Sequence, residues 1–157
     1  MHPNPLYGNV YFDSCAFDGG NVQEQEASIK ARELYEECGH EVEILHSVAK
    51  EIDYPSTPKW VKDIAQSLIY TIEVELTVLD QAQLADIEQI IVGNGSLEKM
   101  KSDCRHVFEA QKNGRYFVTT DNRLLKKADH ICSKYNLFIV KPSQFLETLE
   151  CFIEKRT

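Results

Sequence analysis

The chain has 157 residues, 43% hydrophobic and 27% charged, with a formal net charge of −8. That length suits one domain, residues 1–157, with a real core, and no apolar run approaches a membrane span. The N-terminus MHPNPLYGNVYF lacks the basic-then-apolar build of a signal peptide, so the expected location is the cytoplasm.

Strand NVYF runs into Asp13, and a loop carrying Gly19 and Gly20 leads to Asn21. Asn21-x-x-Glu24 reads as a capping box opening a helix, which shows Ala27, Ala31, Leu34, Tyr35 and Cys38 at helical spacing and stops at Gly39. EVEILH alternates as a strand, and Ser47 begins a short helix that Pro55 and Pro58 terminate. Thr57-Pro58 opens a further helix with Val61, Ile64 and Leu68 on one face.

IEVELTV reads as a half-exposed strand near an edge, and Asp80 as the cap of a helix that Gly93-Asn94-Gly95 breaks. Leu97, Met100, Cys104, Val107 and Phe108 stripe the next helix, which ends near Gly114. YFVTT is then a strand, NRLLKKADHICSKY a helix, LFIV a strand, and Pro142 starts a terminal helix. Strands alternating with helices predict an α/β fold with a mainly parallel sheet covered on both faces. In such sheets ligands gather beyond the carboxyl ends of the strands.

Two strands end in carboxylates there, Asp13 and Asp121. Taken singly, each reads more readily as a helix cap than as a ligand. Element lengths bring up a third. The helix descends about ten residues from Asp103, roughly 15 Å, and the strand to Asp121 climbs back roughly 16 Å. Asp103 therefore returns to the level of Asp121. EVEILH climbs to the same edge, with Glu51 about one helical turn beyond it. Four acids, Asp13, Glu51, Asp103 and Asp121, can thus share one rim.

Clustered carboxylates raise one another's pKa unless a cation intervenes. An all-oxygen donor set suits Mg²⁺ or Mn²⁺, which leave coordination positions to water and phosphate. Ser14 and Thr120 flank two of the acids and offer hydroxyls to orient ligands, or to cap loops.

Five cysteines, odd in number and scattered with no C-x-x-C, argue against a disulfide framework and a structural zinc site. The histidines show no zinc-hydrolase spacing either. Net negative charge is awkward for binding phosphate, but it is unevenly spread. Nine acids face three bases from Asn21 to Asp53, whereas five bases (Lys112, Arg115, Arg123, Lys126, Lys127) face two acids from Lys112 to Asp129. The second stretch is either a local basic face or an ordinary solvated helix surface.

The combination of Asp13-Ser14-Cys15, an acid after the second strand, and DCRHVFEAQKNGRYFVTTDNRLLKKA resembles the PIN-domain ribonucleases, a family that includes many toxins of toxin–antitoxin pairs. The last block, with 18 residues from Asp103 to Asp121, is the most specific part. The resemblance implies a PIN-like three-layer α/β/α sandwich. It also implies that Asp13, Glu51, Asp103 and Asp121 hold one or two Mg²⁺ or Mn²⁺ ions for RNA cleavage.

By the same resemblance, partners would be an RNA substrate, an antitoxin protein and a second copy in a homodimer. Asn122 stands where some relatives carry a further acid. Arg123 and Lys126 are candidate phosphate contacts. His106, one turn after Asp103, is either a substrate contact or a packing histidine.

Competing readings fit less well. An aspartyl-phosphate phosphatase wants a second Asp where Cys15 stands, and a receiver-like domain wants an acidic pair at the first strand end. Flap-type nucleases are larger than 157 residues allow. The non-enzymatic alternative is a PIN-like binding or scaffold module.

Overall fold

Three runs of large apolar residues, VYF, YFV and FIV, form the sheet. The computed structural model describes residues 2–45, 47–49, 55, 57–66 and 75–156. Strand β1 is Val10–Phe12, β2 is Tyr116–Val118 and β3 is Phe138–Val140. They lie in the order β1-β2-β3, all parallel, with Val10 opposite Tyr116 and Tyr116 opposite Phe138.

Around the sheet are α1 (Cys15–Asp18), α2 (Val22–Glu37), α3 (Lys59–Gln66), α4 (Val78–Val92), α5 (Leu97–Asn113), α6 (Asn122–Leu125), α7 (Ala128–Tyr135) and α8 (Pro142–Glu154). Residues 47–49 are also helical. The architecture is therefore α/β with a small parallel sheet. No described helix is long and apolar enough to cross a membrane.

Every residue of β1 and β2 is buried. Successive side chains point to opposite faces, so both faces are covered. The register says by what. Phe12 and Tyr116 share a face, and both rings meet Phe145 of α8, at 6.0 and 5.9 Å between centroids. Phe117 points the other way and meets His106 of α5 at 6.5 Å. Helix α2 packs against α8, and α4 against α5.

Local chemistry explains most boundaries. Asn21 caps α2, its Oδ1 accepting from Glu24 N–H at 3.0 Å. The reciprocal half of the expected capping box is absent, because the Glu24 carboxylate serves α8 instead. It accepts from Ser143 N–H at 2.9 Å and Ser143 Oγ at 2.5 Å, clamping the start of α8 to the start of α2. The chain leaves α2 through Gly39 at φ 84°, a conformation that strains other residues.

Three expected elements differ. The described residues of EVEILH, 41–45, meet the sheet at a Tyr11–Glu43 parallel bridge, with Glu43 N–H donating to Val10 O at 2.8 Å and Phe12 N–H to Glu43 O at 3.0 Å, and Ile44 is a bridge residue as well. Over those described residues it forms bridges, not a named strand, with the Glu43 bridge on the outer edge of β1.

Of IEVELTV, residues 72–74 lie outside the described residues, Glu75–Thr77 form no strand, and Val78 already belongs to α4. Thr77, not Asp80, caps α4. Its Oγ1 accepts from Asp80 N–H while Asp80 accepts from Thr77 N–H, at 3.1 and 3.0 Å. Asp80 is the acidic half of that box, which is why its position resembles a cap in the sequence.

NRLLKKADHICSKY forms two short helices, not one. A tightened turn, with Lys127 N–H donating to Leu124 O at 3.0 Å, separates α6 from α7.

Candidate functional site

Continuing the register past β1 and β2 sets Asp13 beside Thr119, and the ladder does continue: Asp13 N–H donates to Val118 O at 2.9 Å. The Asp13 carboxylate is buried, at 3% exposure, and is held on both oxygens. Thr119 Oγ1 donates to Oδ2 at 2.9 Å, and Ser14 N–H donates to Oδ1 at 2.8 Å. Thr119 Oγ1 in turn accepts from Asp121 N–H at 3.1 Å. One hydroxyl thus joins the two strand-end acids.

Asp121 is both a cap and a member of the rim. Its Oδ1 accepts from Arg123 N–H at 2.9 Å, opening α6. The Arg123 side chain then folds back on it, with Nε 3.1 Å from Oδ1 and Nη2 2.7 Å from Oδ2. The same Nη2 donates to Asp103 Oδ2 at 3.0 Å. Asp103 therefore does stand level with Asp121, and a guanidinium lies between the two carboxylates. Both side chains are largely sheltered, at 14% and 16% exposure, whereas that of Arg123 is 52% exposed.

The two acids are driven apart electrostatically. Burial, then the charges of Asp13 and Asp121, push the Asp103 carboxyl up to about 6, against the pull of Arg123. Burial also pushes Asp121 upward, but the hydrogen bonds and charge of Arg123 outweigh it and hold Asp121 below the usual carboxylate range. Arg123 itself is raised, first by its hydrogen bond to Asp121.

The remaining expected residues fall as follows. Glu51 lies outside the described residues. Ser14 supports Asp13, but through its backbone N–H. Thr120 turns away from the acids: its Oγ1 donates to Cys15 O at 3.1 Å and its N–H to Cys15 Sγ at 3.5 Å.

Gly19 completes that corner, since a Cβ there would collide with Cys15 O and Thr120 Oγ1. Cys15 Sγ sits 3.3 Å from Thr119 Oγ1 and 3.5 Å from Asp13 Oδ2. Burial and the Asp13 charge push its thiol up to about 12, so it stays a neutral thiol.

Asn122 is exposed beside a small groove, about 230 Å³, shared with Thr120, Asn21 and Lys141. Lys126 is exposed one turn beyond Arg123. His106 is fully buried, with Nδ1 2.8 Å from Ser47 Oγ and Nε2 3.4 Å from Ser102 Oγ. In this conformation it packs α5 against the sheet and against residues 47–49, and it presents no atom to a substrate.

The basic run from Lys112 to Asp129 is not one face. Lys112 and Arg115 precede β2, and Lys112 pairs with Asp80 at 3.0 Å, whereas Arg123, Lys126 and Lys127 follow β2. About 20 Å of extended chain separates the two groups.

Thr119 is the residue that motif reading missed in favour of Thr120. Pairing β1 with β2 in parallel, Phe12 opposite Val118, is the signal that singles it out.

Among the described residues no three His, Cys, Asp or Glu side chains stand close enough to hold a metal ion as they are arranged here. The chain matches no protein-family model, and no curated protein matches its sequence significantly.

Proposed function

We propose that the chain is a metal-dependent endoribonuclease of PIN type, hydrolysing RNA phosphodiester bonds at the acidic rim. One observation carries this reading: Asp13, Asp103 and Asp121, distant in sequence, converge beyond the carboxyl ends of β1 and β2. Burying several carboxylates together is costly unless a cation joins them, and here a guanidinium stands as that cation. The donor set is hard oxygen throughout, which fits Mg²⁺ or Mn²⁺.

Asp13, Asp103 and Asp121 would hold the ion, with Glu51 as a fourth candidate outside the described residues. The ion, when bound, supplies an activated water and neutralises charge developing on the phosphodiester. The chain's own residues supply the frame. Thr119 and the Ser14 N–H hold one oxygen of Asp13 each and so fix its orientation. Asp121 stays ionised, while Asp103 exchanges a proton near pH 6 in the absence of metal. Arg123 and Lys126 are exposed on and after α6, and in this reading they would meet substrate phosphate.

A PIN-like module that binds without cleaving is the second reading. The Arg123 fork favours it, because it neutralises the acid pair without metal. A toxin role, with an antitoxin partner and a homodimer, rests on the family resemblance alone.

Incubating purified protein with single-stranded RNA in Mg²⁺ or Mn²⁺ separates these readings. Cleavage that stops with EDTA and in Asp13→Asn or Asp121→Asn is expected. Cleavage persisting unchanged in either variant sinks the assignment, and RNA that is bound but left intact leaves the binding module.

A further inference from the structure

We infer that Arg123 is a displaceable counter-cation, which a divalent ion must dislodge from Asp103 and Asp121 and which then serves the substrate phosphate. The inference rests on the reading of those two acids as metal ligands, and extends it to how the site is loaded.

The geometry sets the two states in competition. Arg123 uses both Asp121 oxygens, through Nε and Nη2, and Asp103 Oδ2 through Nη2. That engages three of the pair's four carboxylate oxygens, so a metal ion shared by the pair would compete with the guanidinium for them. A guanidinium at hydrogen-bond distance from them would also lie within a few ångströms of the ion, and like charges that close repel strongly.

Arg123 is the member that can leave. Its side chain is half exposed while the acids are sheltered, so it covers them from the solvent side. Leaving does not carry it away, because its backbone N–H stays bonded to Asp121 Oδ1 at the head of α6. A released guanidinium therefore remains tethered at the rim, on the same turn as the exposed Lys126. It presents the planar fork that suits a phosphodiester, which a lysine lacks.

Thermodynamic linkage then makes the two ligands cooperative. Metal frees the arginine for phosphate, and phosphate draws the arginine off the acids and tightens the metal.

Mn²⁺ titration by calorimetry or electron paramagnetic resonance tests this without any turnover. The chains compared are wild type, Arg123→Gln, Arg123→Lys and Asp121→Asn, each checked for folding by circular dichroism. Arg123→Gln should bind Mn²⁺ on the order of tenfold more tightly than wild type, with Arg123→Lys between them, because a lysine keeps the charge but loses the fork.

A non-cleavable oligonucleotide should tighten Mn²⁺ binding in wild type and not in Arg123→Gln. Equal or weaker Mn²⁺ binding in both arginine variants, with Asp121→Asn still abolishing it, overturns the displacement while leaving the metal site standing. No Mn²⁺ binding in any of these chains overturns the metal site, and the displacement with it.

Discussion

The two ends of the sheet both collect acids, and they treat them in opposite ways. At the end where the strands begin, Glu36, Glu41 and Glu43 line an open groove of about 650 Å³ with Gly8, Asn9, Tyr35 and His40. At the end where the strands finish, the described residues line a small groove beside Asn122. Yet there Asp13 is buried, and it is joined to Asp121 through Thr119; Asp121 is joined to Asp103 through Arg123.

Glu43 is also pushed upward by burial, against a hydrogen bond with the Tyr11 side chain that pulls it down. Among the grooves lined by described residues, size alone would choose the first end. Convergence of sheltered like charges, which costs stability unless a ligand uses it, chooses the second.

Substitution at the two ends should break that symmetry most sharply. Asp13→Asn and Asp121→Asn should each lower RNA cleavage roughly a hundredfold or more. Glu36→Gln and Glu41→Gln, on the larger groove, should leave it unchanged. Cleavage assays on labelled RNA decide this, and a comparable loss at the opposite groove would move the site there.

Thr119→Val is the next largest effect. It keeps the side-chain shape but removes the hydroxyl between Asp13 and Asp121. Cleavage should fall roughly tenfold to a hundredfold, and denaturant titration should show a loss of about 1–2 kcal/mol. Thr120→Val, whose hydroxyl faces Cys15 O, should affect cleavage far less.

That contrast also shows how far the sequence could be read. Strand-end acids and element lengths were enough to set Asp103 level with Asp121, because helix rise and strand rise are fixed quantities. Which of two adjacent threonines faces Asp13 depends on register, a pairing across more than a hundred residues that no local pattern carries. The Arg123 fork was equally hidden, since Arg123 in isolation reads as a solvated helix residue. The break between α6 and α7 escaped because Lys126 and Lys127 are good helix formers, and the turn there follows from how Asp121 caps α6.

Asp103 gives a smaller effect with a definite sign. Its carboxyl sits near 6 when folded against an ordinary value of 3.8. The folded state therefore holds that proton more tightly, and the associated stability is full below about pH 4 and lost as pH rises through 6. Asp103→Asn should be stabilising by about 1–3 kcal/mol at pH 7.5 and nearly neutral at pH 4. Thermal melts at the two pH values check this, and a variant less stable at pH 7.5 would show that Arg123 outweighs the burial.

Lys126→Gln should give the smallest change, a few-fold loss of RNA affinity with a salt slope shallower by about one. Lys112→Gln, at the far end and paired with Asp80, should not alter that slope. Fluorescence anisotropy at several salt concentrations compares the two.

The most direct test is an anomalous-scattering map from crystals soaked in Mn²⁺. The account predicts a peak bounded by Asp13, Asp103 and Asp121, with the Arg123 side chain turned away from the acids. A peak in the groove of Glu36, Glu41 and Glu43 instead, or no peak at the rim in saturating Mn²⁺, would contradict it.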